Sequence, residues 1–209
     1  MKKTTKAKLA LAAGSAAALS AYAFLIRPWH LRWGATDEEL NMPLPGDEFV
    51  DDPQLNATHA ITINASASDV WPWLVQMGQN RGGFYSYTWL ENLVGCDMRN
   101  ANRIVPEWQD LRVGDQVWLH PKAPPLRVLA IEAGRAIVLE KCWTFVLRPI
   151  DENTTRLIIR GRGEFNPDLK NGLLNFFLWR GIFEPAHFIM ERKMLLGVKQ
   201  RAETGEPEP

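Results

Sequence analysis

Five short runs of alternating apolar and polar residues lie between residues 116 and 160, and this strand period constrains the fold more than any other feature. The runs cover residues 116–120, 126–132, 136–141, 143–148 and 154–160. Short stretches rich in Pro, Gly, Asn and Asp separate several of them, at a spacing typical of hairpins. The pattern predicts an antiparallel meander.

Helical patterns lie on both sides of this meander. A β-branched run over 59–64 predicts a first strand, and apolar residues at helical spacing over 69–77 and 85–94 predict two helices after it. A last helix over 173–203 has one apolar stripe and a kink or break at Pro185. Such a helix needs the sheet to bury it. The order therefore predicts an α+β fold in which a curved antiparallel sheet grips the C-terminal helix.

The N-terminal segment predicts a membrane anchor. Residues 9–26 are eighteen consecutive residues without a charge, which is near the lower limit for crossing a bilayer. A cleaved signal peptide is one alternative, because Ala21-Tyr22-Ala23 resembles a cleavage site. A helix packed on the domain is another. The apolar stretch continues beyond that site, which favours an uncleaved, single-pass anchor.

The charges around this segment predict its orientation. Four lysines precede residue 9, whereas only two arginines follow residue 26 closely, so the positive-inside rule places the body on the extracytoplasmic side. Five residues that fit an interfacial belt follow the apolar stretch: Arg27, Trp29, His30, Arg32 and Trp33.

Composition divides the chain into four parts. We expect an anchor or signal segment over 1–33, a Pro-, Gly- and acid-rich linker over 34–57 that partly wraps the domain, and a folded domain over 58–203. The last residues, 204–209, are expected to form a disordered tail.

Charge and motifs narrow the functional classes. The 24 basic and 24 acidic residues balance, so nothing indicates a nucleic-acid partner. The His and Cys residues are scattered without metal-ligand spacing, and we expect no metal and no cofactor. No G-x-S-x-G motif occurs. A catalytic site assembled from distant strands would leave no such motif, so catalysis stays open.

Four stretches carry a family resemblance: residues 70–78 (VWPWLVQMG), 81–87 (RGGFYSY), 106–108 (PEW) and 184–194 (EPAHFIMERKM). Together with the element order they resemble the SRPBCC superfamily, the START-like helix-grip fold shared with the birch-pollen allergen and the polyketide cyclases/dehydrases. The resemblance covers about residues 58–203. It implies a hydrophobic pocket under the C-terminal helix. It gives no catalytic motif to transfer, since the superfamily includes lipid carriers, hormone receptors and cyclases.

Ten residues are candidates for the lining of that pocket: Trp73, Tyr85, Tyr87, Trp89, Trp143, Phe145, Phe183, His187, Met190 and Met194. His187 shares the helical stripe with Phe183 and Met190, so it could orient or protonate a ligand carbonyl. Tyr85 and Tyr87 are the candidate partners in such acid/base chemistry. The alternative is structural: a buried histidine bonded to a backbone carbonyl, and tyrosines that pack the second helix on the sheet.

Two further groups of polar residues indicate surfaces. The long loop after the second helix predicts a lid or rim, or a solvated connection, and it contains Asn100, Asn102, Arg103, Glu107 and Asp110. Arg160 and Arg162 alternate along the last strand, which is typical of the solvated side of a sheet.

Three hypotheses follow for function. The favoured one is a membrane-anchored domain that binds an apolar small molecule or lipid. The second is a cyclase/dehydrase-like enzyme with His187 and a tyrosine as its acid/base groups. The third is a non-catalytic interaction module at the membrane, which requires a filled core and a large exposed apolar patch.

Overall fold

The computed structural model describes residues 17–51, 53, 55–140, 143–163 and 178–205, together with residues 8, 13, 14 and 172. The strands of this part are β1 (Leu55–Ile63), β2 (Gln116–Val117), β3 (Leu126–Glu132), β4 (Ala136–Leu139), β5 (Trp143–Asp151) and β6 (Thr154–Gly163). Its α-helices are α1 (Arg27–His30), α2 (Asp37–Asn41), α3 (Ala67–Val75), α4 (Thr88–Leu93) and α5 (Glu184–Thr204).

The six strands form one antiparallel sheet in the order β1-β6-β5-β4-β3-β2. Helices α3 and α5 pack against one face of it, which we call the inner face. The predicted α+β helix-grip class is confirmed.

Local chemistry explains where the helices on the inner face begin. The Ser66 hydroxyl accepts a hydrogen bond from the Asp69 amide and so caps α3. A π-helical turn, Trp179–Phe183, leads directly into α5. This turn comes just before Pro185, whose ring nitrogen has no proton to donate to the preceding turn. The predicted irregularity at Pro185 therefore lies at the start of α5 rather than near its middle.

The inner face is filled by side chains. Phe145 and Leu147 of β5 and Ile159 of β6 are buried against Met194 and Val198 of α5. Such interdigitation is typical of a close-packed interior. The part of α5 around Met194 and Val198 therefore rests on core side chains of the sheet.

The outer face of the sheet is covered by the segment 34–50. Arg160 projects from β6 into this segment and is buried, with Nη1 donating to Asp47 Oδ2 at 2.6 Å and Nη2 donating to the Glu39 carbonyl at 2.6 Å. Arg156 bonds the Glu39 carboxylate with both Nε and Nη2. The strand face that we expected to be solvated is therefore an internal surface, because the segment before the domain folds back over it.

The edge of β1 is covered as well. The amides of Thr58 and Ala60 donate to the carbonyls of Leu31 and Trp33, at 2.9 and 3.2 Å. Gly34 follows with φ +74°, and a Cβ atom there would overlap the Ala60 carbonyl oxygen. Only glycine lets the chain lie this close to β1. Capping an edge strand in this way removes a surface that would otherwise pair with other chains.

Part of the predicted anchor, residues 9–12 and 15–16, lies outside the described residues. Among those described, no helix is both long enough and apolar enough to span a bilayer. The predicted helix over 173–177 and most of the predicted tail, 206–209, also lie outside the described part.

Substituting Arg160→Gln should lower the free energy of unfolding by about 3 kcal/mol, because it leaves Asp47 and several buried carbonyls without their donor. Thermal or denaturant unfolding of the full chain measures this loss. Arg148→Gln is the matched control on the same face, since Arg148 is exposed and its ion pair with Glu38 is 3.8 Å long. We expect a loss below about 0.5 kcal/mol there. Equal losses in the two variants would contradict the assigned role of Arg160.

Candidate functional site

The structure does not bring the ten candidate residues together in one pocket. Trp73, Phe145 and Met194 are buried in the core. Four lie around the first half of α5: Trp143, Phe183, His187 and Met190. Tyr85, Tyr87 and Trp89 line a surface cleft beside the second half of α5. None of the four residues of the previous group belongs to the lining of that cleft.

Tyr85 is held inside the fold. It is 1% exposed, and its hydroxyl donates to the Trp73 carbonyl at 3.0 Å and accepts from Gln76 Nε2 at 3.1 Å. Burial raises its pKa well above the ordinary value. Gly197 of α5 allows the close approach, because a Cβ there would overlap the Tyr85 carbonyl oxygen. The phenol is therefore a satisfied structural group.

His187 is on the surface. Its side chain is 59% exposed, with Nδ1 3.6 Å from Glu191 Oε2 and its ring centroid 6.2 Å from that of Trp143. Phe183, one turn before it, is exposed as well. The expected position of His187, facing an enclosed pocket with Tyr85 or Tyr87, does not match this geometry.

Glu191 and His59 form a buried ion pair that sequence reasoning missed. His59 Nδ1 lies 2.6 Å from Glu191 Oε1, and its Nε2 lies 2.7 Å from the His30 carbonyl oxygen. Both neighbours are acceptors, so both ring nitrogens carry protons. Trp143 Nε1 donates to the other Glu191 oxygen at 3.2 Å. The signal in the sequence that could have indicated this pair was His59 itself, a histidine within a β-branched run that predicts a strand.

The electrostatics of this pair are set by burial and by the partner charge. Burial alone would lower the pKa of His59, but the Glu191 charge and the two hydrogen bonds outweigh it and raise that pKa. Burial would raise the pKa of Glu191, but His59 lowers it. The pair therefore holds β1, α5 and the N-terminal segment together as ions.

A second ion pair attaches the N-terminal segment to the start of α5. Arg27 donates from Nε and Nη2 to the two oxygens of Glu184, at 2.9 and 3.1 Å. His30 is buried against the ring of Phe188. Residues expected to form a membrane-interface belt thus face the domain, as in the alternative of a packed helix. There are two exceptions. Trp29 also contacts Phe188 but stays largely exposed. Arg32 is exposed and pairs with Asp37.

These His and Glu residues do not form a metal site. Within the described ranges there is no group of three or more His, Cys, Asp and Glu side chains arranged to hold a metal ion.

A cleft of about 600 Å³ lies between the segment 85–102 and α5. Its lining comprises Tyr85, Ser86, Tyr87, Thr88, Trp89, Asn92, Met98, Arg99, Asn100, Asn102, Lys193, Gly197 and Arg201. The α5 residues of this lining recur every four positions, which places them on one face of the helix. Two residues of the predicted rim, Asn100 and Asn102, are among them.

Two asparagines shape the wall of the cleft. Asn100 accepts from the Tyr85 amide at 2.8 Å and donates to the Ser86 carbonyl at 3.1 Å. Asn92 bridges the amide and the carbonyl of Met98. Side-chain bonds of this kind give an irregular segment a fixed backbone. The wall is therefore preformed, and the ring of Trp89, 68% exposed, stands at its rim.

Cations line the cleft. The Lys193 ammonium lies 5.5 Å from the ring centroid of Tyr87, and the Arg201 guanidinium lies 4.7 Å from that of Tyr85. Arg99 is exposed at the rim. No Asp or Glu is found among the described lining residues. Sequence reasoning missed Lys193 and Arg201, although their spacing on the last helix was visible.

No family model matches the chain, and no curated protein matches it. Solved structures are similar to it at low identity. The Aha1 dimer from Colwellia psychrerythraea is 14% identical, with a TM-score of 0.40 over 73% of this chain and 98% of that one. A Polyketide_cyc-like protein from Corynebacterium glutamicum is 16% identical, with a TM-score of 0.34 over 69% and 89%. A Staphylococcus saprophyticus protein is 12% identical, with a TM-score of 0.42 over 74% and 96%.

The helix-grip architecture that the resemblance implied is confirmed. The strand order and the long helix over the inner face establish this architecture within the chain itself. At the TM-scores above, the similar structures carry no argument about ligand or activity.

Substituting Glu191→Gln should lower the pKa of His59 below about 6.5, since burial then acts without a compensating charge. In the natural chain at pH 7 we expect both ring nitrogens of His59 to be protonated. Nitrogen-detected NMR titration of the histidines measures both states. An unchanged His59 pKa in the variant would contradict the assigned pairing.

The pair also predicts a pH dependence of stability. The pKa of His59 is higher in the folded than in the unfolded chain, so its contribution is complete below about pH 6.5 and is lost as the pH rises through the folded pKa. The contribution of Glu191 is present above about pH 4.5 and is lost as the pH falls through its lowered pKa. Burial lowers the pKa of His30. The contribution of His30 to stability therefore increases as the pH rises near 6.5, opposite to that of His59. Comparison with His59→Gln therefore isolates the His59 contribution.

Proposed function

We propose that this chain is a ligand-binding helix-grip domain that takes up a small molecule with an aromatic or apolar part. The ligand lies in the cleft between the segment 85–102 and α5, not beneath α5. The cleft itself is the observation that carries the proposal. Core side chains fill the inner face of the sheet around Met194 and Val198, where the family resemblance implied a pocket.

The size and the walls of the cleft support this assignment. Small-molecule pockets in proteins commonly enclose about 300–1,000 Å³, and the volume of about 600 Å³ lies within that range. Tyr87 and Trp89 present aromatic rings, while Asn102 offers an exposed amide. A few polar groups among aromatic walls are what fixes the orientation of a bound molecule.

The geometry favours binding over acid/base catalysis. The Tyr85 hydroxyl is used by Trp73 and Gln76 inside the fold, and His187 lies exposed beside Trp143. General acid/base chemistry needs both groups within hydrogen-bond reach of one substrate. The two side chains do not share a cavity in the described part of the chain.

We further propose that residues 9–26 anchor the protein in a membrane with the folded body on the extracytoplasmic side. The eighteen uncharged residues support an anchor. The described helical part exposes Phe24 and Leu25, and the neighbouring turn before α5 exposes Ile182 and Phe183. Apolar side chains exposed together are typical of a surface that contacts lipid or a partner.

Asn102→Trp should abolish ligand binding by filling the cleft, since Asn102 is exposed on its lining and a Trp side chain is far larger. Native mass spectrometry of the full chain in nanodiscs, incubated with a total small-molecule and lipid extract, measures the bound adduct. Gly161→Leu is the matched control. Gly161 pairs with Trp143 on the inner face, and no described atom lies within 4 Å of a Cβ built there.

The two variants distinguish the two locations. Loss of the adduct in Asn102→Trp with retention in Gly161→Leu supports the cleft. The reverse result would place the ligand beneath α5 and overturn the proposal. A natural chain that shows no adduct at all would also overturn it.

Ala17→Arg should release the full chain from membranes, because an arginine near the centre of a spanning helix costs about 2.5–3.5 kcal/mol. Alkaline carbonate extraction measures the membrane-bound fraction. Ala123→Arg, at an exposed alanine outside the segment, should leave that fraction unchanged. Protease added outside spheroplasts should digest the body, and full protection of the body would contradict the proposed orientation.

A further inference from the structure

We infer that the ligand of this cleft carries an anionic oxygen group, a carboxylate or a phosphate, and that this group pairs with Arg201. The inference rests on the proposed function, because it concerns the same cleft and adds the chemical class of the molecule. It derives from the surroundings of Arg201 and from the charges of the lining.

Arg201 is a buried cation with an incomplete set of partners. It is 6% exposed. Its Nε donates to the Ala101 carbonyl at 3.0 Å and its Nη1 to the Gly197 carbonyl at 3.1 Å. Its guanidinium also lies over the ring of Tyr85. Among the described residues, Nη2 has no hydrogen-bond acceptor and no carboxylate lies within 4 Å of the side chain.

A buried charge without a counter-ion is costly. Burial accordingly lowers the pKa of Arg201, and the group that acts to raise it is the Tyr85 phenol rather than a carboxylate. Arg160, the other fully buried arginine of the described chain, has the Asp47 carboxylate at 2.6 Å. Among the described residues, an anion accompanies the buried Arg160, and none accompanies Arg201 in the cleft.

The other charged residues in the described lining of the cleft, Lys193 and Arg99, are also basic. Lys193 stands one turn of α5 before Gly197, and Arg99 lies at the rim. The acidic group nearest to the lining by its bonds is Glu91, which accepts from the Ser86 hydroxyl. Burial raises the pKa of Glu91, which favours its neutral form. Clefts lined by one sign of charge attract ligands of the opposite sign.

The residues that line the cleft differ in how deeply they are buried. Arg201, Gly197 and Tyr85 form its buried end, and Trp89 stands exposed at the rim. An arginine fork matches the two oxygens of a carboxylate or phosphate. A molecule with an anionic end toward Arg201 and an aromatic or apolar end toward Trp89 would use both.

Three probes with one ring system test the charge requirement: 2-naphthoate, 2-naphthyl phosphate and the neutral 2-naphthamide. Isothermal titration calorimetry with the full chain in nanodiscs, blanked against empty nanodiscs, measures their affinities. We expect at least one of the two anions to bind about tenfold or more tightly than the amide, because charge-assisted bonds are about twice as strong as neutral ones. Preference between the two anions distinguishes carboxylate from phosphate recognition.

Arg201→Gln should reduce the ratio of anion affinity to amide affinity to about one. Arg201→Lys keeps the positive charge and should retain part of the ratio. This ratio is the decisive readout, since a merely structural defect would weaken all three probes together. Lys193→Gln, at a half-buried position, should lower the ratio by a smaller factor and serves if Arg201→Gln does not fold. Arg127→Gln removes an exposed arginine outside the cleft lining and should change nothing.

Equal affinity of the three probes for the natural chain would overturn the inference and leave cleft binding intact. A ratio that Arg201→Gln and Lys193→Gln both leave unchanged would overturn it as well. If none of the probes binds while the extract still gives an adduct that Asn102→Trp abolishes, the anion inference fails alone. If neither probes nor extract bind, the proposed function fails with it.

Discussion

The buried ion pair between His59 and Glu191 determines how the rest of the molecule is arranged. Removing two charges from water is expensive, and only close geometry with further hydrogen bonds compensates for it. Here the His30 carbonyl and the Trp143 indole supply those bonds. Glu191 is thereby fixed toward the sheet, which fixes the rotation of α5 about its axis. Because successive residues of a helix turn by about 100°, Lys193 then points to the opposite side, where the cleft lies.

Much of the fold could be predicted from periodicity alone. The alternation over 116–160 corresponds to β2 to β6, and the helical spacing around residue 73 corresponds to α3. These signals are strong because one face of each element is buried along much of its length. The apolar stripe of the C-terminal helix was harder to assign to its packing partners. Met194 and Val198 are core, but Phe183 lies beyond the sheet, and periodicity along one helix does not reveal where its partner ends.

The candidate site depended on information that a single sequence pattern does not contain. Arg160 and Arg201 are both arginines on amphipathic elements, yet one is neutralised by Asp47, more than a hundred residues away, and the other has no acidic partner among the described residues. Long-range contacts decide this difference. The aromatic residues Tyr87 and Trp89 were predicted as ligand contacts and line the cleft, whereas the cations opposite them were not predicted. Helical spacing identified the apolar stripe of α5 but not the adjacent row of residues that contains Lys193 and Arg201.

The glycine beside β1 has a mechanical consequence. Gly34 lets the turn over residues 31–34 lie against the edge of β1, where Leu31 and Trp33 accept one hydrogen bond each, and Arg27 fastens the preceding helix to α5. Tension applied to the described N-terminal segment would be borne by the two hydrogen bonds to β1 and by the Arg27–Glu184 ion pair. A segment attached at both β1 and α5 does not swivel relative to the domain, so a force on it would turn the domain and its cleft as one body.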